Sequence, residues 1–290
     1  MALPAGTIPY LFLLFPLALT SISTAQWRGM EQMSRWVGWQ LGTAVAQLLL
    51  GAAVLGAGGG LPHLLLALGL VQSGAAIIAY GWPPRWPLVR VERAQLAAVW
   101  RAGWVLALLM ATAVAQQRLP LFALAGWGTE ADVGQFSAAA RLVEGIKLLP
   151  YALFGALFPA VVRSGRLDTG RAWLLALLGG MALIAVGGGW LGRWLLPWLY
   201  GAAYQPSAAV WGRLLWGLLP FVLHQHLALR LVAAGHEKRA LVATAASLLA
   251  GLLLYATWLP THPTPPTAAT LAVASDVLLA WGLLAVSRKL

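Results

Sequence analysis

Apolar runs of about 18 or more residues recur along the whole length of this chain, and they restrict its fold more than any other feature. A helix of ~20 such residues spans a hydrocarbon core ~30 Å thick at 1.5 Å per residue. Inside that core every backbone polar group must be paired, which leaves only helices and closed barrels. The strand alternation of a membrane barrel is absent from the sequence. The expected fold is therefore all-α, a polytopic membrane protein with about nine transmembrane helices. We place them near 7–25, 35–57, 62–82, 96–125, 133–162, 172–197, 207–233, 240–259 and 267–287.

Composition supports that class. Hydrophobic residues make up 60% of the chain and charged residues 9%, against roughly a quarter charged in soluble domains. There are no cysteines, which excludes disulfides and thiolate metal sites. The net charge of +11 is spread along the chain rather than clustered on one element, so no nucleic-acid partner is expected. No removable signal peptide is evident: Met1 is followed by no basic region, and the first apolar run lacks a cleavage site.

The basic residues mark topology instead. One set of alternate loops holds Arg28, Arg35, Arg85, Arg90, Arg93, Arg163, Arg166, Arg171, Lys238, Arg239, Arg288 and Lys289. The opposite set, near 57–62, 126–132, 198–206 and 259–266, holds none. Short loops rich in Lys and Arg stay in the cytoplasm. The C-terminus is thus expected inside and the N-terminus outside, in a cell (inner) membrane. Gly58-Gly59-Gly60, Pro83-Pro84, Gly126 with Gly128, and Pro263, Pro265 and Pro266 punctuate the spans. The basic segment GWPPRWPLVRVERAQ reads as a linker, giving 1–82 as a partial N-terminal lobe, 83–95 as a cytoplasmic linker and 96–290 as a six-helix lobe.

The fifth span carries Arg141, Glu144 and Lys147 in its interior. Charges at that depth are costly and usually face a protein-lined cavity. Their i, i+3, i+6 spacing keeps them on one broad face, and the positive surplus suits an anionic substrate. Lys147 falls near the bilayer midplane, lining a cavity or pairing with Glu144. Arg141 is a candidate phosphate contact or a partner of Glu144. Glu144 itself is a candidate for an ion pair or for proton or sodium coupling. Arg118, beside Gln116 and Gln117 and close to the outer end of its span, reads as a cavity ligand or an interfacial anchor. His224-Gln225-His226 is a second polar cluster. Histidines at i and i+2 lie on nearly opposite faces, so no shared metal is expected. His226 and Arg230, at i and i+4, share a face and could line the inner half of a cavity. Asp276 is the only carboxylate inside the last span, as a cation site or a paired acid. Arg101, Arg213 and Arg230 read as anchors near span ends. So do Trp27, Trp82, Trp127, Trp198 and Trp258. The glycines 179–180 and 187–189 read as close helix contacts.

Several stretches resemble a known family. QQRLPLFALAGWG (116–128) and VGQFSAAARLVEGIKLLPYALFGALFPAVVR (133–163) are similar to the seventh and eighth helices of polysaccharide-biosynthesis flippases. These oligosaccharide-lipid translocases belong to the multidrug/oligosaccharidyl-lipid/polysaccharide (MATE-like) superfamily. The shared parts are Val133-Gly134, Phe136-Ser137-Ala138, Pro150, and Phe158-Pro159 before Arg163. LLPWLYGAAYQPSAAV (195–210) and LRLVAAGHEKRA (229–240) resemble the turns around the family's tenth helix. The chain departs from the pattern in lacking about three N-terminal helices, and in Gln116-Gln117-Arg118, where many members have an acidic or Asn-rich patch.

The resemblance implies a two-lobed transporter, here a partial N-lobe and a complete C-lobe around a central cavity. It would move a polyprenyl-pyrophosphate-linked oligosaccharide to the outer leaflet by alternating access. Implied partners are that substrate, membrane lipids and polysaccharide-assembly enzymes. No bond is broken, so no catalytic residue and no cofactor is expected beyond coupling to a proton or sodium gradient. Two other classes compete. A multidrug or metabolite antiporter that expels cations needs a net negative cavity. A membrane glycosyltransferase or polymerase needs paired accessible carboxylates or a sizeable external loop. The chain has eight acidic residues in all.

Overall fold

The computed structural model describes residues 14–30, 32–80, 92–164 and 170–288. The expected linker residues 83–91, the start of the first span and Trp82 lie outside them. Ten α-helices and one short 3₁₀ turn make up the described chain, with no strand among the described residues. They group into two compact units, Met1–Val91 and Glu92–Leu290. Seven segments are long and apolar enough to cross a bilayer, the make-up of a multi-pass membrane protein. Two expected spans fall outside that set. One is described over only sixteen residues, and the other carries charges in its interior.

The first unit holds α1 (Leu14–Gly29), α2 (Met33–Gly56) and α3 (Leu61–Tyr80). α2 ends at the expected glycine triplet, where Gly58 takes a φ of 79° that side chains rarely adopt. Trp27, expected as an interfacial anchor, is instead buried. Its ring meets Trp39 edge-on at 5.5 Å and carries the Arg35 guanidinium 5.0 Å from its centroid. A buried stack of that kind closes the α1–α2 corner, which is why this tryptophan is not at a free surface.

The second unit begins with two helices of 35 residues, α4 (Arg93–Trp127) and α5 (Glu130–Ser164). The turn between them is fixed by reciprocal bonds: Thr129 N–H donates to Asp132 Oδ2 at 2.9 Å, and Asp132 N–H donates to Thr129 Oγ1 at 3.2 Å. α6 (Gly170–Tyr200) and the 3₁₀ turn Ala202–Tyr204 follow. The apolar stretch 207–233, expected as one span, is one candidate span over Ser207–Ala233, and within it the helix is interrupted for one residue at Gly217, between α7 (Ser207–Trp216) and α8 (Leu218–Ala233). The reason is local. Gly217 N–H closes back on the Leu214 carbonyl at 2.9 Å, and Pro220 supplies no N–H to the Trp216 carbonyl. α9 (Glu237–Trp258) and α10 (Pro265–Ser287) complete the chain. Thr264 caps α10 and Pro265 stands in its first turn, where the missing N–H is harmless.

The main core joins α4 to α10 through Leu124, Leu196, Leu215, Leu218, Phe221 and Leu259. Small residues let the backbones approach, and Ala139, Ala240, Ala268 and Ala269 are fully buried. Polar side chains bond across helices where lipid offers no alternative. The Tyr255 hydroxyl donates to the Ala268 carbonyl at 2.9 Å, and Trp211 Nε1 donates to the Gly188 carbonyl at 2.7 Å. That second bond holds the indole against α6 at Gly192, where a Cβ would stand 2.3 Å from the ring. The expected close contact at glycines 187–189 is thus met at Gly188, with Gly192 adding to it. Gly179 has nothing within 4 Å. Gly192→Ala is expected to lower stability by about 1–3 kcal/mol through overpacking. Gly179→Ala, free of that clash, should be neutral or stabilising by up to about 1 kcal/mol. Thermal melting of the two detergent-solubilised variants checks the contrast, and equal melting points would contradict it.

Candidate functional site

One stripe of α5 positions the charged site. Arg141, Glu144, Lys147 and Tyr151 follow one another at helical spacing on the α5 surface. The α4–α5 hairpin brings α4 back past this stripe. Arg118 and Arg141 stand ten and thirteen residues either side of Gly128, so the antiparallel helices place them at similar heights. At 1.5 Å per residue that is about 15–20 Å from the turn. Arg118 was expected close to the outer end of its span. α4 runs nine residues beyond it, to Trp127.

Glu144 binds both arginines. Arg118 Nη1 lies 3.3 Å from Glu144 Oε1, and Arg141 Nη1 lies 3.1 Å from Oε2. Of the alternatives left open in the sequence, the Glu144 ion pair is therefore made, with a second arginine from the neighbouring helix. Lys147 does not join it. Its ammonium turns to α10 and lies 3.8 Å from Asp276 Oδ2, so that of its two readings, cavity lining or a pair with Glu144, the Glu144 pair is not the one made. The physical reason is competition: Glu144 already has a guanidinium on each oxygen, whereas Asp276 has none. Lys147 also sits 4.6 Å from the centroid of Phe221, a cation–π contact.

The helix break supplies the rest of the site. α8 starts at Leu218, and its first turns carry Phe221 and His224 on one face. His224 Nε2 lies 3.9 Å from Asp276 Oδ1. Gly217 passes close enough that a Cβ there would be 3.7 Å from Asp276 Oδ2. Asp276 is thus a paired acid between Lys147 and His224, on three different helices. Tyr151 meets Phe221 edge-on at 5.0 Å, and its hydroxyl accepts from Gln117 Nε2 at 3.0 Å. The polar surface therefore runs from Arg141 through Arg118 and Gln117 to Tyr151.

His226, expected to line a cavity with Arg230, is buried with its ring 6.3 Å from that of Phe154. Among the described residues no ion pair joins it to the charged cluster. The neighbouring His224 reaches that cluster instead, because two residues along a helix reverse the face. Arg213, read as an anchor, donates to Thr270 Oγ1 at 3.2 Å. Among the described residues no group of three or more His, Cys, Asp or Glu side chains could hold a metal ion.

Sequence reasoning missed three features. Phe221 and Tyr151 look like ordinary core aromatics until the Lys147 position is known. Gln116 donates to Ser247 Oγ at 3.3 Å and to the Ser275 carbonyl at 3.2 Å, tying α4 to α9 and α10. In the first unit, Gln47 donates to Gln72 at 3.2 Å and Gln72 to Thr20 at 2.8 Å, beside a polar cavity of about 330 Å³. A second cavity, about 630 Å³, is an apolar groove lined by Phe122, Trp127, Leu252 and Tyr255 among others, with none of the charged residues. No family model, curated protein or solved structure matches the chain.

The Lys147–Asp276 pair is expected to behave as a coupled unit. Removing one partner leaves a charge in apolar surroundings. Lys147→Met and Asp276→Leu should each destabilise, while the double variant is more stable than their sum by about 1–3 kcal/mol. Melting of the four proteins in one detergent measures the coupling, and simple additivity would refute it.

Proposed function

We propose that this chain moves a polyprenyl-pyrophosphate-linked oligosaccharide from the cytoplasmic to the outer leaflet. The observation that carries the reading is the charge inside the second unit. Arg118, Arg141 and Lys147 outnumber Glu144 and Asp276 along facing helices, leaving a net positive surface at mid-helix. A pyrophosphate must shed its water to cross the hydrocarbon core. Guanidinium groups replace that hydration with charge-assisted, bidentate bonds. The prenyl tail stays in lipid while the head group passes along the protein.

The remaining features of the proposal rest on the loop charges and the motif resemblance. These are about nine spans, a two-lobed arrangement with a partial N-lobe, a cell inner membrane, and a cytoplasmic C-terminus. Alternating access, proton or sodium coupling, and polysaccharide-assembly enzymes as partners come from the resemblance alone. An antiporter for organic cations suits a negative cavity and so fits this charge balance poorly. A membrane glycosyltransferase fits no better, since both carboxylates of the charged cluster are occupied by basic partners.

Proteoliposomes holding a lipid-linked oligosaccharide test the reading, with the outer-leaflet pool read by a membrane-impermeant glycosidase. The chain is expected to expose the internal pool rapidly. The Arg141→Ala, Lys147→Ala double variant should slow that exposure at least tenfold, roughly the loss of one charge-assisted contact. Exposure no faster than in empty liposomes would contradict the proposal.

A further inference from the structure

Glu144 holds one guanidinium on each carboxylate oxygen, Arg118 at 3.3 Å and Arg141 at 3.1 Å. The two arginines come from different helices and converge on a single planar anion. The three side chains are also accessible: 42% exposed for Arg118, 42% for Glu144 and 66% for Arg141. The second ion-paired set differs on that point. Lys147 and Asp276 are 21% and 20% exposed, and His224 closes the far side of Asp276 at 8%. One carboxylate is therefore locked within the helix packing, and the other sits at the surface of the cluster.

A phosphoryl group presents pairs of oxygens to two guanidiniums much as a carboxylate does, and it carries more charge. We propose that Glu144 is an internal stand-in for the phosphate of an anionic ligand, which displaces it and takes both Arg118 and Arg141. The proposal rests on the flippase reading for its ligand class and adds the site and the exchange. The unliganded chain keeps its two arginines neutralised, which matters because an unpaired charge at mid-helix is costly in a membrane. The ligand then enters by exchange, and neither guanidinium is left bare at any stage. The displaced carboxylate has a next partner as well. Lys147 lies three residues further along the same face of α5, one helical step away. Phosphate arrival is thereby linked to the Lys147–Asp276 pair that ties α5 to α10.

The design makes a counter-intuitive prediction, because removing an acidic residue from a pair of arginines should strengthen anion binding. Two exposed ion pairs together amount to about a tenfold change in an equilibrium constant. The full chain in detergent is titrated with inorganic pyrophosphate and with a short-chain prenyl pyrophosphate, binding being followed by calorimetry. Glu144→Gln should bind pyrophosphate about tenfold more tightly than the parent. Glu144→Asp, which keeps the charge on a shorter arm, should fall between them. Arg118→Ala and Arg141→Ala should each lose saturable binding, and Arg213→Ala should bind as the parent does. Unchanged or weaker binding by both Glu144 variants would overturn the proposal, as would parent-like binding by the two arginine variants. Tighter binding of the prenyl compound than of pyrophosphate assigns the phosphate to a lipid head group. Equal affinities keep the exchange site, assign it to a soluble phosphate, and count against the flippase reading. Flipping without any pyrophosphate binding would sink the exchange and leave the flippase standing.

Discussion

Two carboxylates organise the second unit, Glu144 held by two guanidiniums and Asp276 by the Lys147 ammonium with the His224 ring beside it. Asp276 on α10 holds Lys147 of α5 and His224 of α8. Glu144 of α5 holds Arg141 one turn away and Arg118 of α4. In water such pairs would contribute little, about 0–1 kcal/mol each. The comparison that decides is with the unpaired charge, which costs about 2.5–3.5 kcal/mol at the centre of a membrane helix. On the nine-span reading proposed above, pairing is thus the condition for having these side chains in the span at all. It also ties helices together, since the pairs link α4 to α5 and bring α5 and α8 to α10.

Packing around the pairs is arranged to make that meeting possible. The break at Gly217 starts α8 beside Asp276, so Phe221 and His224 face α5 and α10. On the opposite flank Trp211 locks α7 to α6, with its indole bonded to the Gly188 carbonyl and seated against Gly192. The small buried residues Ala268 and Ala269 let α10 lie close enough for the Tyr255 hydroxyl to reach its backbone. These two side-chain-to-backbone bonds each join a pair of helices that lipid would otherwise leave free to slide.

The sequence made the helices legible and their charges conspicuous, since apolar runs, glycine turns and capping residues are all local signals. Gly58, Thr264 and Pro265 end or start helices where their chemistry requires. The break inside 207–233 was not legible, because hydropathy continues unchanged through Gly217 and Pro220. The charged residues of the site were found from their position in the spans, but their partners were only half found. Helical spacing joins Glu144 to Arg141 and also to Lys147, and it cannot tell that Asp276, 129 positions away, takes the lysine. The sequence singled out His226 with Arg230 and gave no sign that α10 brings Asp276 to His224, for the same reason. Thr20, Gln47 and Gln72 are separated by long apolar stretches, so no local pattern announced their chain of bonds.

The central claim is that the mid-helix charges of α4 and α5 face water inside the protein rather than lipid. The absence of native cysteines gives a clean background for single-cysteine labelling. Gln117→Cys and Arg141→Cys, on the polar surface, would be compared with Leu183→Cys and Leu253→Cys, whose side chains are exposed on apolar faces. A charged, water-soluble thiol reagent applied to the reconstituted chain should modify the first two and spare the leucine positions. Protection of Gln117→Cys and Arg141→Cys to the same degree as the leucine controls would contradict the account.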